Sequence, residues 1–301
     1  MSTTLLLGIA GGLVAAFMQS CSYLGGRRFL ATCGNSLQLL VSSLIICGAA
    51  AWIMAIFLLD THKIFSWQMA GFLTMCNGGF IAGQWGFFNA QKHIESSRIA
   101  SLLGLKVLVV MLLAMIFLRE KFVYMQYLAV AIAATAAMLM NWNKGKLDWN
   151  GMGFLFVALL GYAVSDLGVQ QVVREISSGQ PVKDGVCGFI LSYGTMGILA
   201  LMAVKPCNIS RKMLKGAFMQ AGCWIVSMWG LYISFGLIGA SFGNVVQASR
   251  GVISLLLGII LSRFAINGLE QKQSVAVWLR KAAAALLMFG AIVLYALVTK
   301  G

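Results

Sequence analysis

Ten apolar runs of membrane-spanning length follow one another with short polar breaks. They cover about 4–24, 37–58, 67–90, 98–118, 123–141, 150–171, 185–204, 214–237, 243–262 and 276–298. Each is near the ~20 residues an α-helix needs to cross the hydrocarbon core. Backbone in lipid must satisfy its own hydrogen bonds, and these runs are too long and too continuously apolar for barrel strands. The expected fold is an all-α membrane protein with ten transmembrane helices. Ten helices of ~20 residues leave roughly a third of the 301 residues for connections, so no soluble domain of useful size fits. Both prolines, Pro181 and Pro206, fall in polar connections and break no run. The first run has no basic stretch before it, and Arg27 and Arg28 come after it, so it is expected to stay as a helix rather than be cleaved as a signal.

Only 10% of the residues are charged and 60% are hydrophobic, against about 25% charged in a soluble domain. That excludes a soluble enzyme and a disordered chain. The net charge is +14, which in a soluble protein would suggest nucleic acid. Here the cations mostly lie between apolar runs, where the positive-inside rule and lipid headgroups account for them. Fourteen Lys and Arg residues follow the odd-numbered runs and six lie on the other side, which puts the odd loops in the cytoplasm and both termini outside. The seven cysteines contain no C-x-x-C pair and mostly sit inside apolar runs, so they are expected as packing residues. Two histidines, His62 and His93, are too few for a usual metal cluster, and neither cofactor nor metal is expected.

The chain repeats itself. A shift of 143 residues aligns Gly8 with Gly151, Val14 with Val157, Ala15 with Ala158, Ser22 with Ser165 and Gly25 with Gly168. A shift of 144 aligns Gly78 with Gly222, Trp85 with Trp229, Gly86 with Gly230, Lys106 with Arg250 and Arg119 with Arg263. Two units are expected, 1–143 and 144–301, of five helices each. An odd number per unit makes the second enter the membrane from the opposite side, the inverted repeat of many secondary transporters.

Several short stretches resemble a known family. They are Leu118-Arg119-Glu120-Lys121 with the Ala-rich run after it, Asn244-Val245-Val246-Gln247, Ser249-Arg250-Gly251, Asn267-Gly268-Leu269-Glu270, and Ser22-Tyr23 with Arg27-Arg28. With the ten runs, they resemble the drug/metabolite transporter superfamily, in particular its ten-helix EamA-like members. The resemblance implies a basket in which helices 1, 3, 4, 6, 8 and 9 line a central cavity and helices 5 and 10 support it. It also implies transport without ATP. Many such proteins place both termini in the cytoplasm, against the charge distribution here. The triose-phosphate translocators are similar in fold and hold an anion with basic residues on helices four and nine, a likeness of position only.

Lys106 and Arg250 are the candidates of first rank. A cation at mid-span costs about 2.5–3.5 kcal/mol on insertion scales, and mid-membrane is too deep for a lysine stem to reach water. Both are expected to face the interior. There they would hold a carboxylate, a phosphate or a similar anion, with Arg offering a planar fork and Lys a point charge. The alternative is that each binds a buried acid or helix-end carbonyls and locks packing. Asp166 is either a coupling carboxylate, the counter-ion of one of these cations, or a solvated residue near a helix end. Glu120 is expected to pair with Arg119 or Lys121, and Asp184 to lie in a loop. Gln19, Asn77, Gln84, Asn89, Asn244 and Gln247 would line a polar cavity, although single amides also bond across helices. Tyr23, Trp85, Tyr162 and Trp229 would join them or serve as packing and interface anchors.

The expected function is a secondary active transporter in the cytoplasmic membrane. It would move a small polar metabolite, anionic or zwitterionic, by alternating access. A non-transporting scaffold or sensor subunit is the alternative. No H-E-x-x-H, G-x-S-x-G or intramembrane Asp pair supports an enzyme. The expected partners are the small-molecule substrate and membrane lipids, not nucleic acid, and a homodimer is compatible with the sequence.

Overall fold

The computed structural model describes residues 3–59, 66–90, 103, 105–140, 149–250, 253, 257 and 275–298. Among them the chain is helical, with no strand. The helices are α1 (Thr3–Thr32), α2 (Ser36–Leu58), α3 (Trp67–Ala90), α4 (Lys106–Phe117), α5 (Tyr124–Met140), α6 (Trp149–Ile176), α7 (Pro181–Met202), α8 (Arg211–Gln247) and α9 (Val275–Val298). By length and composition α1, α2, α6, α7 and α8 can each cross a membrane, and parts of α4, α5 and α9 form shorter apolar helices.

Local chemistry sets several boundaries. Asn35 and Gln38 form a reciprocal capping box at the start of α2. Pro181 stands in the first turn of α7, where its missing N–H costs nothing. Asp184 therefore lies inside α7 rather than in a loop; it is buried and accepts the Ser178 N–H at 3.1 Å. The Ser210 side chain caps α8 by accepting from the Met213 N–H at 3.3 Å. α1 runs to Thr32, well past the end of its apolar run, so Arg28 is on the helix rather than after it.

α8 is two helices joined at Gly239, whose φ of 78° and ψ of 161° break the helical path. Glycine is suited to that left-handed φ because it has no Cβ to clash. The neighbours of α1 show what happens there. Gly25, Gly11 and Gly8 abut Gln220, Gly230 and Ile238 in turn, so the first limb (211–238) runs antiparallel to α1. Then Gly12 abuts Val246, and the Ser20 hydroxyl donates to the Arg250 carbonyl at 3.4 Å. The second limb (240–247) thus runs back alongside α1. Gly239 falls in the short break, 238–242, between the eighth and ninth apolar runs, and the second limb starts directly after it.

The main pairings are α1 with the first limb of α8, α3 with α6, α2 with α7, and α5 with α9. Lipid tails are as apolar as leucine, so these contacts rest on close packing and interhelical hydrogen bonds. Missing side chains permit the approach. A Cβ on Gly161 would collide with the Gly83 nitrogen, and one on Gly230 would fall 2.5 Å from the Gly11 carbonyl oxygen. Gly48 meets Gly197 in the same way, with Cβ to Cα at 2.5 Å. α2 and α7 are antiparallel, because Gly48 meets Gly197 while the Trp52 indole N–H reaches the Gly194 carbonyl at 3.3 Å.

Candidate functional site

Asp166 lies on α6 near the pairing with α3. Its Oδ2 sits 2.7 Å from Lys106 Nζ at the start of α4. The Asn244 amide, on the second limb of α8, donates to the same Oδ2 at 2.8 Å and to its own Ala240 carbonyl at 2.9 Å. Side-chain exposure is 21% for Lys106 and 10% for Asp166. Asp166 offsets part of the cost of taking the Lys106 charge out of water. Lys106, Asp166 and Asn244 thus join α4, α6 and α8 through one carboxylate.

Arg250 has different company. Its Nη1 donates to Gln19 Oε1 at 2.7 Å and to the Tyr23 hydroxyl at 3.1 Å. The guanidinium carbon is 5.5 Å from the centre of the Tyr23 ring, within the range of cation–π attraction. Gln19 and Tyr23 are four residues apart on α1 and so share a face. Among the described residues Arg250 has no acidic partner. Tyr162, on α6, lies within the electrostatic reach of Tyr23, Arg250 and Asp166 together. Its ring occupies the space beside Gly83 left by the missing side chain.

The remaining expected residues divide. Asn244 is buried with the Lys106 group, and Gln247 follows it three residues on, 5% exposed, with its Nε2 unpartnered. Asn77 is turned to α7: its amide donates to Thr195 Oγ1 at 2.7 Å, and its Oδ1 accepts from Ser192 Oγ at 2.6 Å. Trp85 is 56% exposed and meets Phe154 edge-on at 5.5 Å, and its carbonyl accepts from the Asn89 amide at 2.8 Å. Gln84 is half-buried on α3. Trp229 meets Phe189 edge-on at 6.2 Å, and its buried Nε1 is unpartnered.

One set of residues escaped the sequence reading. Gln170 is fully buried on α6, one turn beyond Asp166. Its Oε1 accepts from the Ala240 N–H at 2.7 Å, directly after the Gly239 reversal, and its Nε2 donates to Glu120 Oε1 at 2.9 Å. The same Glu120 oxygen is 3.5 Å from Arg174 Nη2. Glu120 thus pairs across to α6, not with its neighbours Arg119 and Lys121. The available signal was an amide inside an apolar run, the one that singled out Gln19. Two recesses flank α1. One of about 720 Å³ is lined by Thr4, Glu120, Arg174, Gly239 and Tyr295, among others. The other, about 350 Å³, lies at the opposite end among Arg28, Lys212 and Lys215. Among the described residues no three His, Cys, Asp or Glu come together as metal ligands would.

Residues 6–142 match the model of the EamA-like transporter family. The matched stretch holds Ser22-Tyr23 with Arg27-Arg28 and Leu118-Arg119-Glu120-Lys121, the first-half motifs of the drug/metabolite transporter resemblance, and not the motifs after residue 142. A solved structure described only as "Crystal structure of protein" is similar over 99% of this chain and 97% of its own, with a TM-score of 0.71 and 15% identity. At that identity the similarity speaks for the fold alone. No curated protein matches the chain.

Proposed function

We propose that this chain is a secondary active transporter of the cytoplasmic membrane that moves a small polar metabolite, anionic or zwitterionic, by alternating access. Its ten helices form two inverted five-helix repeats, 1–143 and 144–301. The exchanged pairings support that reading. The first helix of one unit packs on the third of the other, in both combinations, while second pairs with second and fifth with fifth. The antiparallel courses of α1 with the first limb of α8, and of α2 with α7, agree with opposite threading.

One observation carries the functional reading. Arg250, at a repeat-matched position in an apolar chain, is surrounded by neutral polar groups from the other half of the chain. Arg250 is partly buried, and a cation within an apolar run is costly and is kept where it has a partner or a task. Here the partner is the substrate's polar end, and the carrier rearranges when that end completes the cluster. Lys106, Asp166, Gln19, Tyr23, Tyr162, Asn244 and Gln247 complete this pocket, and Asn77, Gln84, Trp85, Asn89 and Trp229 form its further walls.

The test is flux into liposomes containing only this protein, using a panel of labelled small metabolites. Wild type moves at least one of them, and Arg250→Gln inserts and folds but does not. Undiminished flux by Arg250→Gln refutes the role assigned to Arg250, and absence of flux for every metabolite refutes transport.

A further inference from the structure

We infer that the substrate is a small monoanion, a monocarboxylate with a hydrogen-bonding group nearby, rather than a zwitterion or a dianion. The inference rests on the pocket being a substrate site and adds the charge that it selects. Three formal charges meet there. Lys106 and Asp166 are 2.7 Å apart and cancel. Arg250 remains with neutral partners, Gln19 and Tyr23. Among the described residues the pocket thus has the charge of one cation without a countercharge.

A monoanion brings that charge to zero. A zwitterion leaves a cation in the pocket and sets its ammonium group against it, because the one carboxylate among the described residues of the set is already held by Lys106. A dianion leaves one negative charge in a medium that penalises it. Both cross the membrane less readily than the neutral loaded pocket. Hydrogen bonding points the same way. Asn244 and Gln247 on the returning limb of α8, and Arg250 just beyond its end, follow at three-residue intervals. Between the engaged Asn244 and the cation, Gln247 is 5% exposed, and its donor nitrogen has no partner among the described residues. A carboxylate needs donors for two oxygens, and the guanidinium and this amide can supply them. Ser22, fully buried and three residues beyond Gln19, adds a further unpartnered hydroxyl.

Thermal unfolding of the purified protein in detergent tests this with four probes of similar size: lactate, lactamide, alanine and malonate. A bound ligand raises apparent stability by mass action. Lactate is expected to stabilise wild type most. Its apparent affinity should exceed that of lactamide by about tenfold or more, the usual gain of a charge-assisted bond over a neutral one. Arg250→Gln should abolish that margin. Asp166→Asn keeps the shape of the carboxylate but frees the charge of Lys106, so preference should move from lactate to malonate. That exchange is a readout that mere loss of packing would not give. Preference for alanine or malonate in wild type, equal response to lactate and lactamide, or no response to any probe overturns the monoanion. So does an unchanged preference in Asp166→Asn. Metabolite flux with a non-anionic preference sinks this inference and leaves transport standing; lactate binding without any flux does the reverse.

Discussion

Gln170 offers the sharpest test of how the turn between the two limbs of α8 is held. Its carbonyl oxygen satisfies the Ala240 N–H, and its amide nitrogen satisfies Glu120. Gln170 and Ala240 are both fully buried, so water cannot substitute. Gln170→Leu orphans the Ala240 N–H, which costs about 1–3 kcal/mol. It also removes one donor from Glu120, which keeps Arg174 at 3.5 Å. The expected loss is about 2 kcal/mol. Gln170→Glu keeps an acceptor for Ala240 but faces a second carboxylate, and should cost about as much. Adding Glu120→Gln to Gln170→Glu reverses donor and acceptor across the same gap and should restore most of the loss. The assay is equilibrium unfolding in mixed micelles over the full double-mutant cycle. If Gln170→Leu lies within about 0.5 kcal/mol of wild type, or if the exchanged pair is no better than Gln170→Glu alone, this bond does not hold the reversal.

The Lys106–Asp166 pair should respond asymmetrically. Lys106→Met alone leaves a buried carboxylate unpaired and should cost about 3 kcal/mol or more, whereas Lys106→Met with Asp166→Leu should regain most of it, as read by unfolding in micelles. Equal loss in both would mean that the pair contributes nothing as a pair. Gly161→Leu should prevent folding, because its Cβ would collide with the Gly83 nitrogen and backbone cannot swing aside. Gly71 has nothing within 4 Å of an added Cβ, so Gly71→Ala should be tolerated and gain about 0.5–1 kcal/mol from helix propensity. Monodisperse yield after detergent extraction, followed by thermal unfolding, distinguishes the two glycines.

The helical fold was legible because lipid allows so few alternatives: a run such as 37–58 has nowhere to put its backbone except a helix, and α2 is found at Ser36–Leu58. Helix ends were less legible where polar residues continue the helix beyond the apolar stretch. α1 carries its helix through Arg28 to Thr32, and α7 takes in Asp184. Hydropathy reports where lipid is, and hydrogen bonding decides where a helix stops. Within the site, Lys106, Asp166 and Arg250 stood out because charge in an apolar run is conspicuous. Their partners were not assignable, since partnership depends on which helices touch. Asp166 had Lys106 and Arg250 as rival partners on equal terms in the sequence, and only the packing of α6 brings it to Lys106. Gln170 is inconspicuous for the same reason: nothing local indicates that an amide on α6 will meet the start of a limb some seventy residues on.

Packing and site chemistry are one constraint in this molecule. A Cβ added at Gly79 on α3 would fall 2.7 Å from the nitrogen of Ser165, the residue before Asp166, so the missing side chain permits this crossing. Gly12 lets α1 lie against Val246, the residue before Gln247. The side chains that are missing at these crossings set the distances at which the polar ones meet. A bulkier residue at Gly12 would move α1 off the returning limb, and the 2.7 Å bond from Arg250 to Gln19 would be among the first to break. The cluster is also unevenly satisfied. Asp166 has a cation and an amide, Gln170 has both its needs met, and Arg250 has dipoles and a ring but no countercharge among the described residues. In a low-dielectric interior the least satisfied group gains most from a new partner. On the proposed transport reading, a ligand that supplies the missing charge stabilises whichever arrangement lets Arg250 reach it, and such differential stabilisation is what would drive the change between states.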